Sequence, residues 1–127
     1  MKRLCGSGVI LAGLLCLAGC RGSAPAPASP DTARQALEQA LSAWTQGSPV
    51  GDLEKQDPPI YFNEPEWKAG KKLVSFTPGK VELMGRQARC SVKLSLRDKD
   101  GRTTQREISY QIDTVPQVVI VREDLGP

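Results

Sequence analysis

Hydrophobic positions recur at helical spacing in the first half of the chain. Ser29 can cap a helix that has Pro30 in its first turn. Six apolar residues then fall on one stripe: Ala33, Ala36, Leu37, Ala40, Leu41 and Trp44. Gly47 suits a left-handed C-cap, and Pro49 cannot continue the helix. The pattern therefore predicts one amphipathic helix that ends near Gly47, with Trp44 anchored in the core.

From Lys71 onward the hydrophobic period changes to two, which is typical of strands with one buried face. Four segments show this period: residues 73–77, 81–84, 88–97 and 102–113. Pro78 and Gly79 predict a turn between the first two segments. Asp98 to Gly101 predict a hairpin turn between the last two, with Tyr110 facing inward. A final apolar strand over residues 117–122 is expected in the centre of the sheet, covered on both faces.

The segment between the helix and the strands, residues 50–70, is interrupted by prolines at three positions. Its aromatic residues nevertheless require burial, and Trp67 is the largest of them. We predict a loop packed on the domain, with a short helical turn over residues 64–68. Such a loop covers an end of the sheet or forms a binding edge.

One helix followed by a meander of strands predicts an α+β domain over residues 31–124, in which the helix packs on a curved antiparallel sheet of four to five strands. This order of elements, over about residues 30–123, resembles the cystatin-like superfold and its NTF2-like domains. The resemblance implies either dimerisation through the open sheet face or a pocket between helix and sheet. A β-sandwich or small barrel with an N-terminal helix is the alternative.

The first nineteen residues have the layout of a secretory signal. Lys2 and Arg3 precede an apolar run over residues 9–18. The stretch 4–19 is interrupted by glycines and is shorter than the roughly 20 apolar residues that a spanning helix needs. We therefore expect residues 1–19 to be a removable signal peptide and not a transmembrane anchor.

Directly behind this signal, Leu17, Ala18, Gly19 and Cys20 resemble the lipobox of bacterial lipoproteins. The resemblance implies cleavage before Cys20 and attachment of diacylglycerol to its thiol, and two or more acyl chains anchor a protein stably in a membrane. Arg21 replaces the Asp that favours inner-membrane retention in enteric bacteria, so we expect the outer membrane, facing the periplasm or the cell surface. The alternative is an ordinary signal peptide followed by a chance cysteine.

Residues 20–30 form the expected tether, because this Pro- and Ala-rich stretch cannot bury enough apolar area to fold. Ten extended residues reach on the order of 30 Å. If Cys20 is acylated, the mature chain retains Cys90 alone, so we expect no internal disulfide.

Charge and composition exclude several function classes. The chain has 17 Lys and Arg against 14 Asp and Glu, and loss of Lys2 and Arg3 brings the two nearly into balance. We therefore expect no nucleic-acid partner. The chain contains no His, which excludes Ser-His-Asp and Cys-His catalysis. We expect no cofactor and no enzymatic activity.

Three groups of residues remain as candidates for chemistry. Tyr61, Tyr110 and Asp113 are the expected lining of a pocket, if an NTF2-like pocket exists. Asp98, Asp100 and Gly101 resemble part of a calcium loop, but the ligands that would complete such a loop are missing, so we predict a turn and no metal site.

The third group is basic. Arg89, Lys93 and Arg97 alternate along one strand, and Arg106 lies across the hairpin. This face could meet anionic headgroups or an acidic partner, although a solvated face is the simpler interpretation. The prediction is a lipid-anchored binding or assembly module, with a homodimer or another envelope protein as partner. The alternative is an NTF2-like enzyme or small-ligand binder.

Overall fold

The computed structural model describes residues 29–125, so the predicted signal peptide, lipobox and most of the tether lie outside the described residues. The elements in chain order are α1 Pro30–Thr45, α2 Asp52–Lys55, β1 Ile60–Asn63, α3 Pro65–Lys68, β2 Lys72–Met84, β3 Gln87–Arg97, β4 Thr103–Asp113, β5 Val118–Arg122 and a 3-10 turn Glu123–Leu125. The five strands form one sheet in the order β1-β5-β4-β3-β2. The predicted α+β class is confirmed, with α1 packed on the sheet.

The long helix forms where its pattern predicts. The Ser29 hydroxyl accepts a hydrogen bond from the Thr32 N–H at 3.4 Å, which satisfies one of the free donors of the first turn. All six residues of the apolar stripe are buried. At the other end, the Trp44 indole N–H donates to the Lys71 carbonyl at 2.8 Å. Trp44 is 2% exposed and is therefore the predicted core anchor.

The sheet is mixed, so the expectation of a wholly antiparallel sheet is wrong. Strands β2 to β5 pair antiparallel, but β1 lies parallel to β5, with Ile60 opposite Val118 and Asn63 opposite Val121. The prediction of a loop over residues 50–70 missed this strand and the short helix α2, whereas the predicted helical turn is confirmed as α3. Strand β1 has only four residues and lies between Pro59 and Pro65. Its hydrogen-bonded pairing with β5 holds it in the sheet despite this short length.

No turn forms at Pro78 and Gly79, which is a second correction. The strand β2 continues through them, with an irregularity between Pro78 and Val81. Because β2 is an edge strand, it tolerates a residue without a backbone N–H. A Cβ on Gly79 would lie 3.0 Å from the Ser91 carbonyl oxygen, so glycine permits the close approach of β3 at this point.

The last strand takes the predicted interior position, between β1 and β4. Only one of its faces is fully covered: Val118, Ile120 and Arg122 are buried, while Val119 and Val121 are half-buried. The expectation of cover on both faces is therefore wrong. The described helices leave the outer face of the sheet open, because α1 packs on the opposite face.

Helix α1 runs antiparallel to β2, which gives the domain two distinct ends. Trp44 bonds to Lys71 beside the start of β2, and the Arg34 guanidinium donates to the Gly79 carbonyl at 2.9 Å, halfway along that strand. The start of α1 at Pro30 therefore lies toward the β2–β3 hairpin. We call that end, formed by Pro30 and residues 83–86, the tether end.

Candidate functional site

The main cluster of polar side chains within the described residues joins the β1–α3 segment to β4 and β5. We call it the ionic cluster, and its members are Glu64, Glu66, Lys71, Arg106, Tyr110, Arg122 and Asp124. Glu64 and Tyr110 are fully buried, and Arg122 is 5% exposed. Burial of this much charge is costly unless every charge is paired.

Local structure sets the position of each carboxylate. Glu64 is the N-cap of α3, and its Oε2 accepts from the Glu66 N–H at 2.9 Å. Pro65 starts the helix, which turns Glu66 back beside Glu64. Tyr110 on β4 lies opposite Arg122 on β5 in the strand register, so both side chains point toward the helix side of the sheet.

The buried centre is fully hydrogen-bonded. The Tyr110 hydroxyl donates to Glu64 Oε1 at 2.5 Å. One nitrogen of Arg122, Nη1, donates to Oε2 of Glu64 at 3.1 Å and to Oε2 of Glu66 at 2.9 Å. The Nε and Nη2 groups of Arg122 donate to Oδ1 and Oδ2 of Asp124, at 2.9 and 2.5 Å. Such bidentate, charge-assisted bonds are the strong kind.

The outer part of the cluster is completed by two more cations. Lys71 Nζ and Arg106 Nη1 each lie 2.8 Å from the same oxygen, Glu66 Oε1. Burial raises the pKa of Glu66, but the hydrogen bond from Lys71 and the charge of Arg106 outweigh it, so the net pKa lies below its ordinary value. The carboxylate of Glu66 is therefore held ionised.

The pKa values of Tyr110 and Arg122 are both raised, so both side chains keep their protons. Burial and the charge of Glu64 raise the pKa of Tyr110 far above its ordinary value, so its hydroxyl stays protonated. Hydrogen bonds to Asp124, and then to Glu64, outweigh burial and raise the pKa of Arg122. Hydrogen-bond donors occupy the carboxylates of both Glu64 and Glu66. The ionic cluster therefore links the β1–α3 segment to strands β4 and β5.

Two stacked indoles lie next to the ionic cluster. The rings of Trp44 and Trp67 are 5.3 Å apart and 6° from parallel, and Phe62 packs edge-on against Trp67. The Trp67 indole N–H donates to the Ser48 carbonyl at 3.0 Å. A depression of about 390 Å³ opens beside this pair, and Lys68, Lys71 and Lys72 are among the residues that line it.

Cations accumulate around this depression, at the end of the domain opposite the tether end. We call this the basic end: Lys68, Lys71, Lys72, Arg97 and Arg106. Lys72 lies directly opposite Arg97 in the β2–β3 register, a like-charge pairing that costs stability. Within residues 29–125, Lys68, Lys72 and Arg97 form no ion pair. Glu66 pairs with both Lys71 and Arg106, and Asp98 and Asp100 lie in the turn after Arg97, so the five cations of the basic end outnumber these three carboxylates.

The three residues predicted to line a pocket do not meet. Tyr110 points to the helix side of the sheet and is sealed in the ionic cluster. Tyr61 and Asp113 both lie beside Val119 in the register, on the opposite face of the sheet. The space between α1 and the sheet is filled by the side chains of the hydrophobic core.

The cations predicted to form one basic face do not lie together. Arg89 Nε lies 2.6 Å from the Glu123 carboxylate, and Lys93 lies opposite Glu107 in the β3–β4 register. Arg106 points to the other side of the sheet, toward Glu66. Arg97 remains, and it belongs to the basic end. The Asp98–Gly101 segment is the predicted hairpin turn, in which Asp98 Oδ1 accepts from two backbone N–H groups.

Sequence reasoning missed Glu64, Glu66 and Arg122. The available signal was weak: a carboxylate directly before Pro65 at a helix start, and an arginine closing an apolar strand. In residues 29–125 no group of three or more Cys, Asp and Glu side chains is placed to hold a metal ion, and no helix of that region is long and apolar enough to cross a bilayer. Comparisons of the chain with family models, curated proteins and solved structures give no match.

Proposed function

We propose that this protein is a lipid-anchored bacterial envelope protein, a non-enzymatic binding module that holds an acidic partner protein at its basic end. Cys20 is the lipidation site, behind the cleavage motif Leu17, Ala18 and Gly19. The outer membrane is the proposed location, with the domain facing the periplasm or the cell surface. The NTF2-like resemblance remains part of this proposal, on the order of helix and strands alone.

The observation that carries the proposal is the position of the basic end. The tether joins the domain at Ser29, before α1, and α1 runs away from that point to Trp44 beside Lys71. A helix of 16 residues is about 24 Å long. The excess positive charge is therefore displayed on the side of the domain away from the anchor, where a neighbouring envelope protein has access.

The chemistry of the basic end supports an acidic protein surface as partner. Lys72 and Arg97 are exposed and adjacent, and neither forms an ion pair within residues 29–125. Charge complementarity of this kind steers association and selects partners. Because core side chains fill the space between α1 and the sheet, we place binding on this surface and not in an NTF2-like pocket.

Mild cross-linking in cells, followed by affinity recovery and mass spectrometry, tests the binding proposal. The charge reversal Lys68→Glu/Lys72→Glu is compared with the control Lys55→Glu/Lys80→Glu, which alters two exposed lysines elsewhere. We expect one discrete acidic partner with the wild type and the control, and its loss with the reversal at the basic end.

Recovery of the same partner with all three proteins would contradict a role for the basic end. Recovery of the protein cross-linked only to itself would favour a homodimer through the open sheet face. The anchor is tested separately with Cys20→Ala, which should release the protein from the membrane fraction and abolish acyl labelling. Membrane retention of that variant would mean that the lipobox interpretation is wrong.

A further inference from the structure

Two consecutive apolar residues are exposed at the tip of the β2–β3 hairpin. Leu83 is 47% exposed and Met84 is 50% exposed. Met84 pairs with Gln87, and the turn between them consists of Gly85, at φ +66°, and Arg86. Because side chains alternate along a strand, Leu83 and Met84 project from opposite faces of the ribbon.

This tip lies at the end of the domain where the tether enters. Arg34 of α1 bonds to the Gly79 carbonyl, and Ser29 precedes Arg34 by about 7 Å of helix. Along β2, six residues lead from Gly79 to Gly85, which is at most about 20 Å of strand and includes the irregularity before Val81. The tip therefore projects past the start of α1, farther toward the side from which the chain arrives.

The length of the tether brings the same tip within reach of the bilayer. From Cys20 to Ser29 the chain spans at most about 30 Å when fully extended, and any bend shortens that distance. Because the tether enters at Ser29, the tether end is the part of the domain that this length keeps nearest to the anchor. Leu and Met are side chains that bury favourably at the boundary between headgroups and acyl chains.

Charge at this end does not decide the contact. Lys80 and Arg86 are the exposed cations near the hairpin tip, and Glu82 and the exposed Asp31 of α1 offset them. The attraction must then come from the apolar pair, and it requires no anionic lipid.

We infer that the hairpin tip, Leu83 to Arg86, is a second membrane contact site that inserts its two apolar side chains into the bilayer beside the lipid anchor. The inference rests on the proposed acylation of Cys20. Contact at two points fixes the orientation of the domain and holds the basic end away from the lipid surface, toward a partner.

The test uses the full acylated chain in phosphatidylcholine vesicles containing brominated lipid. An environment-sensitive fluorophore is attached at Arg86→Cys in a Cys90→Ala background, and the control label is placed at Lys99→Cys in the β3–β4 turn. We expect loss of most of the fluorescence at position 86 and none at position 99. The change Leu83→Ser/Met84→Ser should restore the emission at position 86.

Co-flotation with the vesicles and acyl labelling are measured on the same samples. If the protein is acylated and floats but the label at position 86 is not quenched, the second contact does not exist. Emission at position 86 that depends on protein concentration and not on brominated lipid would assign the tip to a second copy of the chain, and would equally overturn the inference. Failure of acylation itself would be seen in the labelling and would refute the proposed anchor first.

Discussion

Replacement of Arg122 by Met is the sharpest test of the ionic cluster. Arg122→Met keeps an unbranched apolar side chain at this position and removes the cation shared by Glu64 and Glu66. Glu64 is fully buried, so its carboxylate would lose its charged partner with no access to water. Breaking a buried ion pair on one side costs about 3–5 kcal/mol.

That cost is large for a domain of this size, since total stabilities are about 5–15 kcal/mol. At about 4 °C or more per kcal/mol, the melting temperature should fall by about 12 °C or more. Urea unfolding of the Cys20→Ala protein, followed by the fluorescence of Trp44 and Trp67, measures the loss directly. An unchanged m-value would show that the same folded and unfolded states are compared.

The matched control is Arg106→Met, which removes a cation at 40% side-chain exposure while Lys71 still pairs with Glu66. We expect this change to cost about 1 kcal/mol or less. Adding Glu64→Gln to Arg122→Met should recover part of the lost stability, because it removes the unpaired buried charge. Equal losses of unfolding free energy for Arg122→Met and Arg106→Met would refute the stabilising role of the ionic cluster. No recovery in the double variant would refute it as well.

Three further predictions follow from local features. The pKa of Glu66 is lowered in the folded protein, so its contribution to stability is complete above its ordinary pKa of 4.5 and is lost as pH falls through the lower folded value. Urea unfolding midpoints should therefore drop on acidification. The drop should be less steep in Glu66→Gln. Burial raises the pKa of the Cys90 thiol, so Ellman's reagent should react with it only after unfolding; rapid reaction in the native protein would contradict its burial. Gly101 has φ +85°, so Gly101→Ala should cost about 1 kcal/mol or more in urea unfolding, whereas the control Gly51→Ala, without positive φ or close neighbours, should cost less.

Much of the fold follows from local pattern, because the elements with long and regular patterns are predictable from neighbouring residues. The apolar stripe of α1 runs from Ala33 to Trp44, the alternation in β3 covers all eleven of its residues, and β4 alternates from Ile108 to its end. Strand β1 has four residues, and its parallel pairing with β5 joins segments about 58 residues apart, from Ile60 to Val118. No local signal specifies that pairing.

The turn predicted at Pro78 and the missed residues of the ionic cluster have the same cause. Both depend on contacts with distant parts of the chain. Pro78 and Gly79 are typical turn residues, and only the edge position of β2 makes them part of a strand. Glu64 and Glu66 have the composition of a solvated loop, and they are buried because Tyr110 and Arg122 approach from strands far along the chain. Burial of charge is thus a tertiary property that single-residue preferences do not contain.

The intact mass of the membrane-extracted protein decides whether Cys20 carries the proposed lipid anchor. We predict a chain that begins at Cys20 and carries the added mass of a diacylglycerol, with or without a further acyl chain on its amino group. A mass that includes residues 1–19, or an unmodified Cys20 in the membrane fraction, would contradict the proposed cleavage and lipidation.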